Sequence, residues 1–372
     1  MSGRSGEGDV SGMGGRTRAW WISLALLAGV ARPGGAAVYY FALDSAATLG
    51  GTVWSPSQFN LNSDGIYSNE LIFGEGITFK SLHRRSDGAW LFSLGSPVAI
   101  DATLEARPRD VIYFDFVSIY KYLDGAAAGI PDDAGIDALF LIGPDAIVSF
   151  DVPIRLGGVE YSPSDLVRFT GASPSLYWDA EAAGIPSYAN LVGADLDPVT
   201  QGLIVTFDVP VRLGAADYLP GQLVAWTPGG FASLYADPAW PLSAQLRDFS
   251  FPPASGRVPG DAPGQTPLTV GRSAATQEVT LSWAPSCSGG DTDYEIYEGT
   301  LDGTPGFYNH APVFCNTQGA TSLTFSEPAA NVYWLVVPRN TLAEGSYGRR
   351  TGGAEIPQGS GACALQQIAA CP

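Results

Sequence analysis

The sequence predicts an all-β protein in two parts, and three observations carry that prediction. Residues 38–251 write one unit four times, most plainly in Ile147–Phe169 (IVSFDVPIRLGGVEYSPSDLVRF) and Ile204–Trp226 (IVTFDVPVRLGAADYLPGQLVAW). Each copy holds a run in which apolar residues alternate with others at a period of two, the spacing of a strand with one covered face. After residue 251 the repeat stops, a Pro/Gly/Ala-rich segment intervenes, and unrelated short strand signals follow.

Within each repeat the elements come in a fixed order. The alternating strands are Tyr39–Leu43, Trp90–Leu94, Val148–Val152 and Val205–Val209, aligned on a central Phe. A turn marked LGG or LGA follows at Leu49, Leu156 and Leu213, where glycine permits a positive φ. A proline then leads into a second strand (PSQFNLN from Pro56, PRDVIYF from Pro108, PSDLVRF from Pro163, PGQLVAW from Pro220). A third strand comes after a short turn, at Glu70–Gly74, Ser118–Asp124, Ser175–Asp179 and Ser233–Asp237. A further strand such as Asp137–Ile142 runs through a Gly-Pro-Asp turn into the next copy.

Four short antiparallel strands per copy cannot cover both their faces alone, so copies must pack on each other. Radial packing gives a β-propeller. The first copy lacks its leading strand, and the fourth is followed by an orphan, Ala244–Phe251. An orphan that completes the first blade predicts a four-bladed propeller over 38–251, similar to a small propeller of a bacterial secreted protein. A sandwich or open stack of meanders is the alternative.

Residues 252–265 read as a linker. In 266–372, VTLSWAPS with Trp283, YEIYEG (Tyr294–Gly299) and VYWLVVPRN (Val332–Asn340) resemble strands B, C and F of a fibronectin type III domain. The resemblance covers about 75 residues. It implies an immunoglobulin-like β-sandwich with Tyr333, Leu335 and Val337 facing inward, and a spacer or binding module; it implies no activity.

The N-terminus predicts export. Arg16 and Arg18 precede an apolar run, Ala19–Val30, too short to span a bilayer, and Ala36-Ala37 offers a cleavage site, so 1–37 is read as a signal peptide. The expected location is secreted or periplasmic, with no membrane segment in the mature chain. Cys287, Cys315, Cys363 and Cys371 are then expected in two disulfides, paired with nearest neighbours as Cys287–Cys315 and Cys363–Cys371. The formal net charge is −18; removing four arginines and two acidic residues with the signal leaves −20. Such a chain repels phosphate backbones, which excludes nucleic acid as a partner.

Chemistry is sparse. The two histidines, His83 and His310, lie in different parts and read as isolated surface residues. Asp44, Asp151 and Asp208 recur beside the alternating strands, which makes them candidate ligands for Ca²⁺ or else turn caps. Tyr177, Trp178, Trp226, Tyr235 and Trp240 gather in the third and fourth copies and are candidates for stacking on a ligand. These features predict a non-enzymatic binding or scaffold module for a protein or carbohydrate ligand, with no obligate cofactor. A Ca²⁺-dependent adhesion protein and a glycoside hydrolase with paired carboxylates are the alternatives.

Overall fold

The computed structural model describes residues 38–372 apart from 64–65, 75, 199, 236–239, 241–244, 259–266, 302–307, 351–352, 360 and 370–372. The predicted signal peptide, the second half of the predicted linker and Cys371 therefore lie outside the described residues. The chain is all-β, with one short helix, Ala180–Ala183, among the described residues.

Four antiparallel sheets of four strands, with four small two-stranded hairpins, lie within residues 38–250. The first runs, in spatial order, Leu246–Ser250, Val38–Leu43, Gln58–Ser63, Ile66–Ile72. The second is Phe79–Arg84, Trp90–Leu94, Val111–Phe114, Ile119–Leu123. The third is Ile136–Ile142, Asp145–Phe150, Leu166–Thr170, Ser173–Trp178, and the fourth Leu191–Leu196, Leu203–Phe207, Leu223–Thr227, Gly230–Tyr235. The orphan strand thus pairs with the first strand of the chain, with Phe41 opposite Phe249 and Ala42 opposite Asp248. The leading strands of consecutive sheets lie against one another, Leu246–Ser250 touching both Phe79–Arg84 and Leu191–Leu196.

Each leading strand is interrupted by a β-bulge at the same place: at Lys80, at Asp137–Ala138, at Val192 and at Arg247. A bulge bends its strand and re-aims a side chain. The bulges also fix the true register. Leu43 pairs with Leu246, Leu94 with Phe79, Phe150 with Ile136 and Phe207 with Leu191, so these four residues are equivalent. The alignment on a shared Phe is therefore two residues out for the first two copies. A period of two is unchanged by a shift of two, so alternation sets the face and not the register. The LGG and LGA turns close small hairpins; Gly50-Gly51 and Gly157-Gly158 each have φ near +60° then above +80°, the conformation of a tight two-residue hairpin turn.

Side chains between adjacent sheets form four cores. Phe140, Val205 and Phe207 belong to that of the third and fourth sheets, and Tyr39, Phe41 and Phe249 to that of the fourth and first. Tyr40, Phe59, Phe79 and Trp90 pack between the first and second, with Phe59 and Phe79 centroids 4.3 Å apart.

The remainder of the chain forms a three-stranded sheet (Thr269–Ser273, Glu278–Ser282, Ser322–Ser326) and a five-stranded one built around Asp293–Thr300 and Val332–Arg339. Val279, Leu281, Trp283, Tyr294, Ile296 and Val336 make one core, joined by Trp334. The other parity of the last long strand, Leu335 and Val337, packs instead with Tyr297, Tyr347 and Ile356. The expected inward set of Tyr333, Leu335 and Val337 is thus corrected by one residue. Both faces of this strand are covered, one by the facing sheet and one by the C-terminal tail, so inwardness has two meanings here.

The nearest-neighbour disulfide pairing is also corrected. Cys315 bonds Cys363, 48 residues on, and ties the tail to the five-stranded sheet. Cys287 is likewise disulfide-bonded. The tail folds back across the sheet, which brings together cysteines far apart in sequence. Removing a cross-link of this loop length costs about 3–4 kcal/mol in the chain-entropy account. Cys315→Ser with Cys363→Ser should therefore lower the denaturant midpoint of the C-terminal strands, read by Trp283 and Trp334 fluorescence. An unchanged midpoint contradicts this. Part of the predicted linker is built in as well: Ser255 N–H donates to Gln367 O at 2.8 Å and Gly256 N–H to Asp291 Oδ2 at 2.8 Å.

Candidate functional site

The four leading strands converge on one carboxylate. Asp248, fully buried, accepts from Leu82 N–H (2.9 Å) and Leu139 N–H (3.1 Å) on Oδ2, and from Ala194 N–H (3.3 Å) and Phe249 N–H (2.8 Å) on Oδ1. These four amides come from four sheets and occupy equivalent places just after the bulges. Ser81, Ala138 and Gly193 stand where the other three strands match Asp248, and their small side chains leave it room. A Cβ on Gly193 would lie 3.0 Å from Asp248 Oδ1. Burial pushes the Asp248 carboxyl well above the usual carboxylate range, against the pull of the Leu82, Phe249 and Ala194 amides.

One strand position further on, His83, Phe140, Asp195 and Ser250 are equivalent residues of the four sheets, and three of them form a polar cluster. Ser250 Oγ lies 3.2 Å from His83 Nδ1 and 3.1 Å from Asp195 Oδ2, and it accepts from Arg84 N–H at 3.0 Å. Asp195 Oδ2 also accepts from Phe251 N–H at 2.8 Å. Burial, opposed by these hydrogen bonds, raises Asp195 to about 7. Burial, with Arg85 beside it, lowers His83 to about 3. His83 and Asp195 of this cluster form part of the wall of a cavity of about 470 Å³. Arg84, Arg85 and Gln201 add polar groups, and Leu141, Leu196, Phe251, Pro252 and Pro253 add apolar ones. Ser288 and Ala369 of the C-terminal part complete the wall. Gln201 is held at φ +57°, a conformation side chains seldom adopt and one that concentrates at functional sites.

His83 is therefore not the isolated surface residue that the sequence suggests. His310 is not either: it is buried against Tyr297 and Tyr347, with its ring centroid 5.0 Å from that of Tyr347. Nothing in their sequence neighbourhoods shows this, because the partners arrive from other strands.

At the opposite end of the leading strands lie the three recurrent aspartates. Asp151 N–H donates to Gly135 O at 2.9 Å while Gly135 N–H donates to Asp151 Oδ1 at 2.7 Å. Asp208 makes the same reciprocal pair with Asn190 (3.2 and 3.0 Å), and Asp44 with Gln245 (3.2 and 2.9 Å). Each side chain clips the start of a leading strand to the end of its neighbour. The second sheet has Gly95 there, which keeps only the main-chain bond to Thr78 O, at 2.8 Å. Asp44, Asp151 and Asp208 thus sit in three different sheets, each on its own backbone partner.

The five aromatic candidates do not form one surface. Trp178 and Trp226 pack edge-to-face, centroids 5.6 Å apart, in the core between the third and fourth sheets. Tyr235 and Trp240 join Tyr39 and Phe41 in the core between the fourth and first. Tyr177 is the exposed one, as the extra residue of a bulge in its strand. Alternation brings half of such residues inward.

The C-terminal part holds a second buried polar cluster. Tyr297 Oη is 2.9 Å from Glu295 Oε2 and 2.6 Å from Glu344 Oε2, and it accepts from Cys363 N–H at 3.0 Å. A hydroxyl has one proton, so one carboxyl must bring its own to share the contact. Burial and then Glu344 push Glu295 up to about 8, in spite of Arg339 Nη1 at 3.0 Å.

No protein-family model matches the chain, and no curated protein matches it. Similar solved structures include a protein of unknown function from Bacteroides caccae, 8% identical over 66% of this chain and 82% of that one, with a TM-score of 0.25. PorZ, a bacterial surface component of the type-IX secretion system of Porphyromonas gingivalis, is 9% identical over 81% of this chain and 37% of its own, at 0.21. The FN1–FN3 domains of chicken CNTN1 are 9% identical over 83% and 85%, at 0.18. Likenesses at these TM-scores show neither a shared fold nor a shared function.

Proposed function

We propose that the four sheets are blades of a closed four-bladed β-propeller and that the C-terminal part is a fibronectin III-like sandwich. The whole is an exported, non-enzymatic binding module for a small glycan-type ligand in the axial cavity. Pairing of Leu246–Ser250 with Val38–Leu43 and the convergence on Asp248 support closure. The disulfide Cys315–Cys363 fits an oxidising compartment.

One observation carries the binding reading: a few convergent polar side chains, His83, Arg84, Asp195 and Gln201, set among apolar walls in a cavity of about 470 Å³. That is the usual make-up of a ligand pocket. The same cluster argues against a serine hydrolase. Ser250 is fully buried, its Asp195 partner bonds the hydroxyl, and no carboxylate among the described residues bonds the imidazole. An imidazole lowered to about 3 is also a weak base.

A glycan array on the purified protein, followed by titration calorimetry, tests this. His83→Ala and Gln201→Ala should each weaken the best hit about tenfold or more, as loss of one or two directed hydrogen bonds costs ~1.4 kcal/mol or above. Tyr177→Ala should leave it unchanged. Loss with Tyr177→Ala and retention with His83→Ala would move the ligand to the exposed aromatic and overturn the reading.

A further inference from the structure

Lys80 is one of two lysines in the 372-residue chain, the other being Lys121. It is the extra residue of the bulge in the second sheet's leading strand. Its Nζ lies 3.0 Å from Asp137 Oδ1, on the matching bulge of the third sheet, and it also contacts Asp151 Oδ2. The Lys80 side chain is 15% exposed and that of Asp137 1%. Asp137 Oδ2 accepts from Asn190 Nδ2 at 2.7 Å. Gly135 makes the space: a Cβ there would lie 2.8 Å from Lys80 Nζ and 2.9 Å from Asp151 Oδ2. An amine therefore faces a buried carboxyl polarised by an amide donor, with a second carboxylate in hydrogen-bond reach of the amine. Those are the parts an amide condensation needs: nucleophile, electrophile, base and oxyanion donor.

We propose that Lys80 and Asp137 condense to an intramolecular amide that staples the second sheet to the third. The Asp151 carboxylate takes a proton from the Lys80 ammonium, which frees the lone pair on Nζ. Nζ attacks Cγ of the Asp137 carboxylic acid, and Asn190 Nδ2–H holds the developing charge on Oδ2. The Cγ–Oδ1 bond then breaks, and that oxygen leaves as water, taking up a second proton from Nζ. The products are one Nζ–Cγ amide, one water and a protonated Asp151; nothing is oxidised or reduced. Burial raises the Asp137 carboxyl, with Lys80 and Asn190 opposing, which favours the neutral acid that condenses. The link also stands in the sheet whose aspartate clip is replaced by Gly95.

The test is mass spectrometry of the purified protein after reduction, denaturation and reaction with an amine-specific reagent. Lys121 serves as the internal control. The expected result is a chain lighter than its sequence by one water, label on Lys121 only, no tryptic cut after Lys80, and a branched peptide joining the segments around 80 and 137. Asp137→Ala should restore the water and the label on Lys80. A wild-type chain of full sequence mass, labelled on both lysines, would overturn the proposal and leave an ion pair. A branched peptide ending on Asp151 would overturn the assignment of Asp137. Neither reading needs the variant to fold, since the wild-type protein alone decides.

Discussion

Asp248→Ala should cost about 5 kcal/mol or more, and a soluble monomer is not expected to accumulate at 37 °C. The substitution removes the acceptor of the Leu82, Leu139, Ala194 and Phe249 amides at once. Each buried N–H left without a partner costs about 1–3 kcal/mol, and no water can replace a group enclosed on four sides. The cost falls on all four sheets together, so unfolding should stay cooperative and merely shift. Asp248→Asn keeps one carbonyl oxygen and turns an NH₂ toward two of the donors, so it too should destabilise, by less. Urea unfolding followed by Trp90 and Trp178 fluorescence gives both values. A change below about 1 kcal/mol for Asp248→Ala would mean that the carboxylate is incidental to the ring.

Stability should also fall as the pH rises above neutrality. Asp195 (about 7), Glu295 (about 8) and Asp248 have folded-state values above those of the unfolded chain. Such groups bind more protons when folded, so their contribution is complete below the unfolded value and is lost as the pH climbs through the folded one. His83 and His310 are lowered by burial, and so act in the opposite direction. Their contribution is lost only as the pH falls below the unfolded value of about 6.5. Above that pH the carboxyls act alone. Between pH 6.5 and 9 Asp195 and Glu295 together should account for a loss of roughly 3 kcal/mol, more of it from Glu295 than from Asp195. Melting temperature across that range, in wild type and in Glu295→Gln, tests this: the fall should shrink in the variant. A flat profile would mean that the Glu295–Tyr297–Glu344 contacts hold no shared proton.

What the sequence discloses here is the part that repeats. The alternating strands, the LGG turns and the orphan strand were legible because each recurs, or completes a recurring unit, and period two follows directly from the pleat. The clip aspartates were legible as a pattern, but their partners were not, since Gly135, Asn190 and Gln245 share no residue type. The chemistry lies where the copies differ. His83, Phe140, Asp195 and Ser250 occupy one position in four sheets, and Asp248 is matched by Ser81, Ala138 and Gly193. A comparison that searches for likeness passes over those positions. The tail, which carries Glu344, Tyr347 and Cys363, has no periodicity at all, and its place is set by a disulfide and buried hydrogen bonds.

Native-state hydrogen exchange of the amides of Leu82, Leu139, Ala194 and Phe249 tests the central claim, a four-sheet ring joined at one buried carboxylate. All four should exchange only through global unfolding, with equal free energies and equal denaturant dependence. Exchange of any one of them by a local opening, well below the global value, would contradict a closed ring held at Asp248.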